Sequence, residues 1–284
     1  MIEIPEHTLN NGVNIPVIGF GTHTLRGTQL ENMIIESLDL GLRLIDTAWS
    51  YDNEREIGRI IKRLGVDRDR LFLTSKVTGA QLYGRKRYLH LFKRNVIQSY
   101  EDSCKKLKTD YLDLFLLHSW QFKDDEYEQL LNLYQMGKVR AIGITQATME
   151  RMQDLENKFG LLPHVNQIHV QPLLTKVNTL TYSKKNGVQS QVISATLGHD
   201  VRLFQNPRIL QIANRYGIGV RQVIYRWLFQ RGLCFLTRTG NPGHLKSNIN
   251  IFNFNLTKEE MSYISSLDCG VSFVPYEYEG KYSL

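Results

Sequence analysis

The sequence predicts an α/β fold, a (β/α)8 TIM barrel with a short N-terminal β-hairpin. Three observations predict it. Eight short apolar runs recur along the chain, amphipathic segments of helical period separate them, and an Asn-Gly turn near the start lies between β-prone residues. The hairpin is read from Leu9-Asn10-Asn11-Gly12-Val13, because Asn-Gly accepts the left-handed conformations of a tight turn. Strands are read at residues 17–20, 42–45, 71–74, 112–117, 139–144, 165–168, 192–194 and 233–236. Helical spacing marks segments such as 30–40, 53–64, 92–107, 127–136 and 149–159. Uninterrupted apolar runs suit strands covered on both faces, and strand–helix alternation suits parallel pairing. Eight such units close naturally into a barrel, for which 284 residues are sufficient. A doubly wound open sheet is the alternative. No linker or low-complexity tract divides the chain, so a single domain over 1–284 is expected.

Composition narrows the setting. With 42% hydrophobic and 22% charged residues, the chain has ample material for a core. Cys104, Cys234 and Cys269 are odd in number and lack paired spacing, which favours reduced thiols in the cytoplasm. The first twenty residues contain no basic start followed by an apolar stretch, so no signal peptide is expected. No window approaches the roughly 18 apolar residues of a membrane span. The net charge of +7 is unevenly spread: residues 78–95 hold Arg85, Lys86, Arg87, Lys93 and Arg94 and no acid. That cluster is a solvated face or an attractive field for an anionic substrate or acidic partner. Nucleic acid is not expected, because no recognised binding module accompanies it.

The stretch that organises the chain is GLRLIDTAWSYDNEREIG, residues 41–58. It puts Asp46 and Tyr51 just past a buried strand, where α/β barrels carry their chemistry. Lys76 and His118 follow the next two strands. A phenol holds its proton to about pH 10 and is a poor acid–base catalyst alone. A nearby ammonium stabilises its phenolate, and a carboxylate paired to that ammonium orients it. An imidazole across the pocket can donate to a carbonyl oxygen. Taken singly, Lys76 reads as a loop lysine, His118 as a satisfied core histidine and Tyr51 as a packing aromatic. All four in order at successive strand ends read as a site for general acid catalysis beside a cofactor.

Asp46-Thr47-Ala48, Tyr51 and Asn53-Glu54 resemble the signature of the aldo-keto reductases. The resemblance extends over nearly the whole chain. It takes in Gly19-Phe20-Gly21-Thr22, Leu71 through Lys76, Tyr111 through His118, Gly137 through Gly143, Asn166-Gln167-Ile168, and Arg226-Trp227-Leu228 with Gln230-Arg231-Gly232. It implies a (β/α)8 barrel that reduces a carbonyl with nicotinamide. Tyr51 would be the proton donor, Lys76 and Asp46 would tune it, and His118 would orient the substrate.

The same resemblance implies a cofactor site containing Gly21, Thr22, Thr145, Gln146, Gln167, Ser194, Leu197, Arg238, Thr239, His244 and Asn248. Several of these depart from the family pattern. Thr145-Gln146 replaces the usual Ser-Asn that holds the nicotinamide amide, while Gln167 is retained. Aligned on Leu197-Gly198, Ser194 falls where a tyrosine usually stacks on the nicotinamide ring. Thr237-Arg238-Thr239 replaces Pro-Lys-Ser, and Arg238 is a strong phosphate partner, which favours NADP(H) with NAD(H) open. His244 stands for a later arginine, and Asn248 is kept for the adenine. His23, Trp49, Tyr83 and Trp120 are expected to line an open, partly polar substrate pocket. The pocket would take a bulky or anionic carbonyl compound, such as a biosynthetic intermediate, bound by a monomer. The alternatives are a non-redox dehydratase or isomerase using the same groups, and a cofactor-sensing regulatory or binding subunit.

Overall fold

The computed structural model describes residues 2–77, 95–119, 121–196 and 200–270. Strands β1 (Glu6–Thr8) and β2 (Asn14–Pro16) pair antiparallel. Gly12 turns between them at φ +84°, a conformation that costs glycine little. Eight parallel strands follow: β3 (Ile18–Gly21), β4 (Leu44–Asp46), β5 (Phe72–Val77), β6 (Leu112–Leu117), β7 (Val139–Thr145), β8 (Val165–His169), β9 (Gln189–Ile193) and β10 (Cys234–Thr237). They form a closed barrel, in which β10 pairs with both β9 and β3. Closure removes the open edges that an eight-stranded sheet would otherwise present.

Helices α1 (Gly27–Asp39), α2 (Glu54–Leu64), α3 (Val96–Leu107), α4 (Asp124–Gln135), α5 (Met149–Phe159) and α6 (Val177–Lys185) each follow one strand. After β9 come α7 (Val201–Phe204), α8 (Pro207–Tyr216) and α9 (Val220–Gln230), and after β10 come α10 (Pro242–Ile249) and α11 (Lys258–Ser266). The hairpin seals the amino-terminal end of the barrel. Its His7 Nδ1 lies 3.1 Å from Gln189 Oε1 and 3.7 Å from Cys234 Sγ, at the starts of β9 and β10. The carboxyl-terminal end is therefore the one left for a site.

Small residues let the barrel fill itself. A Cβ on Gly19 would lie 2.4 Å from Leu44 Cδ2 and 2.6 Å from Leu236 Cδ2, so these two leucines occupy the space it leaves. Asp113, the second residue of otherwise apolar β6, is answered from several sides. Arg68 and Arg140 approach it at 2.7 and 2.8 Å, and the Leu73 N–H donates to it at 2.8 Å.

The strand expected at 192–194 begins three residues earlier and ends at Ile193. Gln189 and Gln191 belong to it, although a search for apolar runs passes over them. Gln189 Oε1 meets His7 at the closed end, and Gln191 Oε1 accepts from Gln167 inside the barrel.

Candidate active site

Register brings the strand-end groups together. Asp46 pairs across with Gly21 and Thr74, and Lys76 lies two residues beyond Thr74 on β5. Lys76 is wholly buried. Its Nζ donates to Asp46 Oδ1 at 2.6 Å, to the Thr47 carbonyl at 2.8 Å and to the Tyr51 hydroxyl at 3.4 Å. The second Asp46 oxygen accepts from Gln167 Nε2 at 3.1 Å. Burial raises the Asp46 carboxyl above the usual carboxylate range, while the Lys76 ammonium and the Gln167 amide act against that rise.

Tyr51 sits on a single 3-10 turn, Trp49–Tyr51, closed by Asp52 in the left-handed conformation. Side chains fix this turn from several directions. The Arg26 guanidinium donates to the Tyr51 carbonyl. Trp49 Nε1 donates to Asp102 Oδ2 on α3 at 3.0 Å, and Lys106 lies over the indole at 5.3 Å. Asn53 accepts from Thr47 Oγ1 at 2.7 Å and donates to the Thr22 and Leu25 carbonyls. Glu54 accepts from Ser75 Oγ at 2.6 Å.

Two imidazoles face the phenol. The His23 ring lies tilted 4.7 Å from that of Tyr51, and the His118 ring stands edge-on at 5.8 Å. His118 is buried, and its Nδ1 has no hydrogen-bond partner among the described residues. Burial first, then the charges of Lys76 and His23, push its pKa well below 6.5, so the ring is neutral at pH 7. His23 stays exposed at the rim, yet partial desolvation by its neighbours, and then the charges of Arg238, Lys76 and Arg26, push its pKa down to about 4.

The other expected residues that are described are found in different states. Thr22 and Thr145 already use their hydroxyls, which donate to the Asp46 and Leu117 carbonyls at 2.9 and 3.0 Å. Gly21 lies beside Arg238, whose Nη1 donates to the His23 carbonyl at 3.2 Å and whose guanidinium also meets Thr24. Gln146 takes φ +56°, accepts from the His169 N–H at 3.3 Å, and leaves its buried Nε2 without a partner among the described residues. Ser194 is exposed at φ +54°. The half-buried Ile193 before it shares the interior face of β9 with Gln191, two positions back. Thr239 accepts from the Asn241 N–H at 3.1 Å, and His244 lies exposed in the first turn of α10. Asn248 is buried and donates to Thr237 Oγ1 at 2.9 Å. Trp49 points its indole N–H toward α3. Tyr83, Trp120, Leu197 and the 85–94 basic cluster lie outside the described residues.

These groups fit a primary carboxamide such as that of nicotinamide. The unpartnered Gln146 amide offers a buried donor. Gln167, which accepts the Gln146 backbone N–H at 2.9 Å, has a side-chain oxygen to which nothing among the described residues donates. No group of three or more His, Cys, Asp or Glu able to hold a metal occurs among the described residues.

Sequence reasoning assigned no individual role to Thr47, Asn53, Glu54, Arg26, Asp102 or Gln191. Asn53-Glu54 lies inside the quoted signature, so its signal was available. Gln191 had no such signal, because Gln189-Ser190-Gln191 is a polar run and reads as loop.

The comparisons with known proteins agree with this arrangement. The model of the aldo/keto reductase family matches residues 17–268. A glyoxal reductase of Bacillus subtilis is 34% identical over 265 residues, covering 92% of this chain and 91% of that one. The structure of MGS-M4, an aldo-keto reductase from a Medee basin deep-sea metagenome library, superposes with TM-score 0.84 at 30% identity, covering 93% of this chain and 96% of that one. An aldo-keto reductase of the silkworm Bombyx mori, solved with NADPH, superposes with TM-score 0.82 at 29% identity, covering 100% and 93%.

Proposed function

The chain belongs to the aldo/keto reductase family, as an NAD(P)H-dependent carbonyl reductase, and we propose that Tyr51 is its proton donor. The observation that carries this reading is the Lys76 ammonium, buried and held between Asp46 and the Tyr51 hydroxyl. Bound NADPH supplies the hydride. Tyr51 gives its phenolic proton to the carbonyl oxygen, and Lys76, 3.4 Å away, stabilises the phenolate left behind. Asp46 fixes the ammonium in place and balances its charge. His118, neutral and edge-on to Tyr51, donates a hydrogen bond that positions the carbonyl oxygen.

On the cofactor side, Gln146 and Gln167 hold the carboxamide. Arg238, with Thr239 and His244, meets the 2′-phosphate, and Asn248 meets the adenine. NADP(H) is the cofactor this set favours, in keeping with the NADPH complex of the silkworm relative.

The substrate is a bulky or anionic carbonyl compound, and the charges at the rim favour the anionic alternative. With Arg238 engaged by the cofactor phosphate, Arg26 is exposed there beside neutral His23, while Asp46 is buried and paired. Such a rim attracts an anion and holds no free acid of its own among these groups. A monomer in the cytoplasm completes the reading. All three cysteines are free, and among the described residues no helix is long and apolar enough to cross a membrane.

A panel of carbonyl compounds matched in size, with and without a carboxylate, tests the substrate class. The expected result is a higher kcat/KM for the carboxylates, with the advantage shrinking as salt is added. Preferential turnover of small neutral aldehydes would overturn it.

A further inference from the structure

The interior of the barrel contains a hydrogen-bonded chain that reaches the site from beneath. Gln167 Nε2 donates to Asp46 Oδ2 at 3.1 Å and to Gln191 Oε1 at 2.8 Å. Gln191 is wholly buried on β9, directly across from Gln167 in the β8–β9 register. The direction of each bond is forced. An Asp46 carboxylate that already accepts from Lys76 can only accept, so the Gln167 atom facing it must be the amide nitrogen. That nitrogen has two protons. The second goes to Gln191, which must therefore present its oxygen, and Gln191 Nε2 is left buried without a partner among the described residues.

We propose that Gln191 is a positioning residue for the cofactor. By accepting the second N–H of Gln167, it locks that amide with its oxygen toward the mouth, ready to accept from the nicotinamide carboxamide. The unpartnered Gln191 nitrogen is consistent with this. An acceptor is needed at that place, a valine or leucine could not supply one, and glutamine brings its amide nitrogen with it. Without the acceptor, Gln167 is held by Asp46 alone. Its amide can then turn and present donors where the carboxamide also presents donors.

The inference rests on the reading that Gln167 meets the carboxamide, so its test separates the two. Dissociation constants are measured by quenching of protein fluorescence for NADPH and for adenosine 2′,5′-bisphosphate, which lacks the nicotinamide. Gln191→Met should raise the NADPH Kd about five- to tenfold, the worth of one orienting hydrogen bond. It should leave the bisphosphate Kd unchanged, which also reports an intact barrel. Gln191→Glu keeps an oxygen acceptor, ionised or not, and should bind NADPH within about twofold of the wild type. Unchanged NADPH affinity in Gln191→Met, or equal losses for both ligands, would overturn the proposal. Gln167→Met is the control and should weaken NADPH at least as much as Gln191→Met. If it does not, the reading of Gln167 fails and the proposal fails with it. If Gln167→Met weakens NADPH and Gln191→Met does not, only the proposal falls.

Discussion

A lysine without solvent contact persists in a protein interior only where its charge is answered locally, and Lys76 is answered by three oxygens. Removing one member of the pair is therefore costly. Lys76→Met leaves the Asp46 charge buried and uncompensated, and should lower stability by about 3–5 kcal/mol in urea unfolding. The double variant Lys76→Met/Asp46→Asn should recover much of that loss while remaining inactive. Tyr51→Phe is gentler, since it deletes one oxygen at the edge of the network. It should lower kcat by about 10²–10⁴-fold with NADPH affinity retained, because only the proton transfer is lost. At this scale, chemistry written at strand ends is legible in a sequence. Asp46, Lys76 and His118 follow three successive apolar runs, and the barrel brings them to one mouth with Tyr51. Gln146 is less legible, because its left-handed backbone and unpartnered amide depend on the neighbouring strand.

At the scale of elements, Gly58 shows how closely the outer helices pack. A Cβ there would lie 2.3 Å from the Lys106 carbonyl oxygen and 2.8 Å from Leu107 Cα, which are backbone atoms of α3 that cannot swing aside. Gly58→Ala should cost at least about 2 kcal/mol in urea unfolding. It should also disturb Lys106, which lies over the Trp49 ring of the Tyr51 turn. Gly65, which ends α2 at φ +63° with nothing within 4 Å of its Cβ position, is the contrast. Gly65→Ala should cost only about 1 kcal/mol, the strain of a left-handed alanine. The strands of this barrel were legible wherever both faces are apolar, as in Leu112–Leu117. Strand β9 was not legible in full, because its interior face holds Gln189 and Gln191. A polar chain inside a barrel hides the periodicity that reveals a strand.

Across the whole molecule, buried imidazoles set the response to acid. Burial holds His164 and His169 down to about 4 and His118 well below 6.5. The unfolded chain takes up these protons near pH 6.5, whereas the folded chain resists them until about pH 4 or below. Between those values the unfolded state binds more protons, so stability falls as pH falls. The loss is at most about 1.4 kcal/mol per pH unit for each histidine. Urea midpoints should therefore drop steadily from pH 7 to pH 5, and replacing His164 with an apolar residue of similar volume should flatten that slope. The closed barrel was legible from eight repeating units. The sealing of its amino end by the hairpin was not, because the contact of His7 with Gln189 and Cys234 joins residues far apart in the chain.

The central claim is that NADPH is consumed here through proton donation from Tyr51. It is tested most directly by following the reduced-nicotinamide absorbance with a set of carbonyl compounds, for the wild type and Tyr51→Phe side by side. The wild type should consume NADPH with at least one carbonyl, while Tyr51→Phe binds NADPH as tightly and consumes almost none. Tight NADPH binding without consumption by the wild type, or equal rates for the two proteins, would contradict the account.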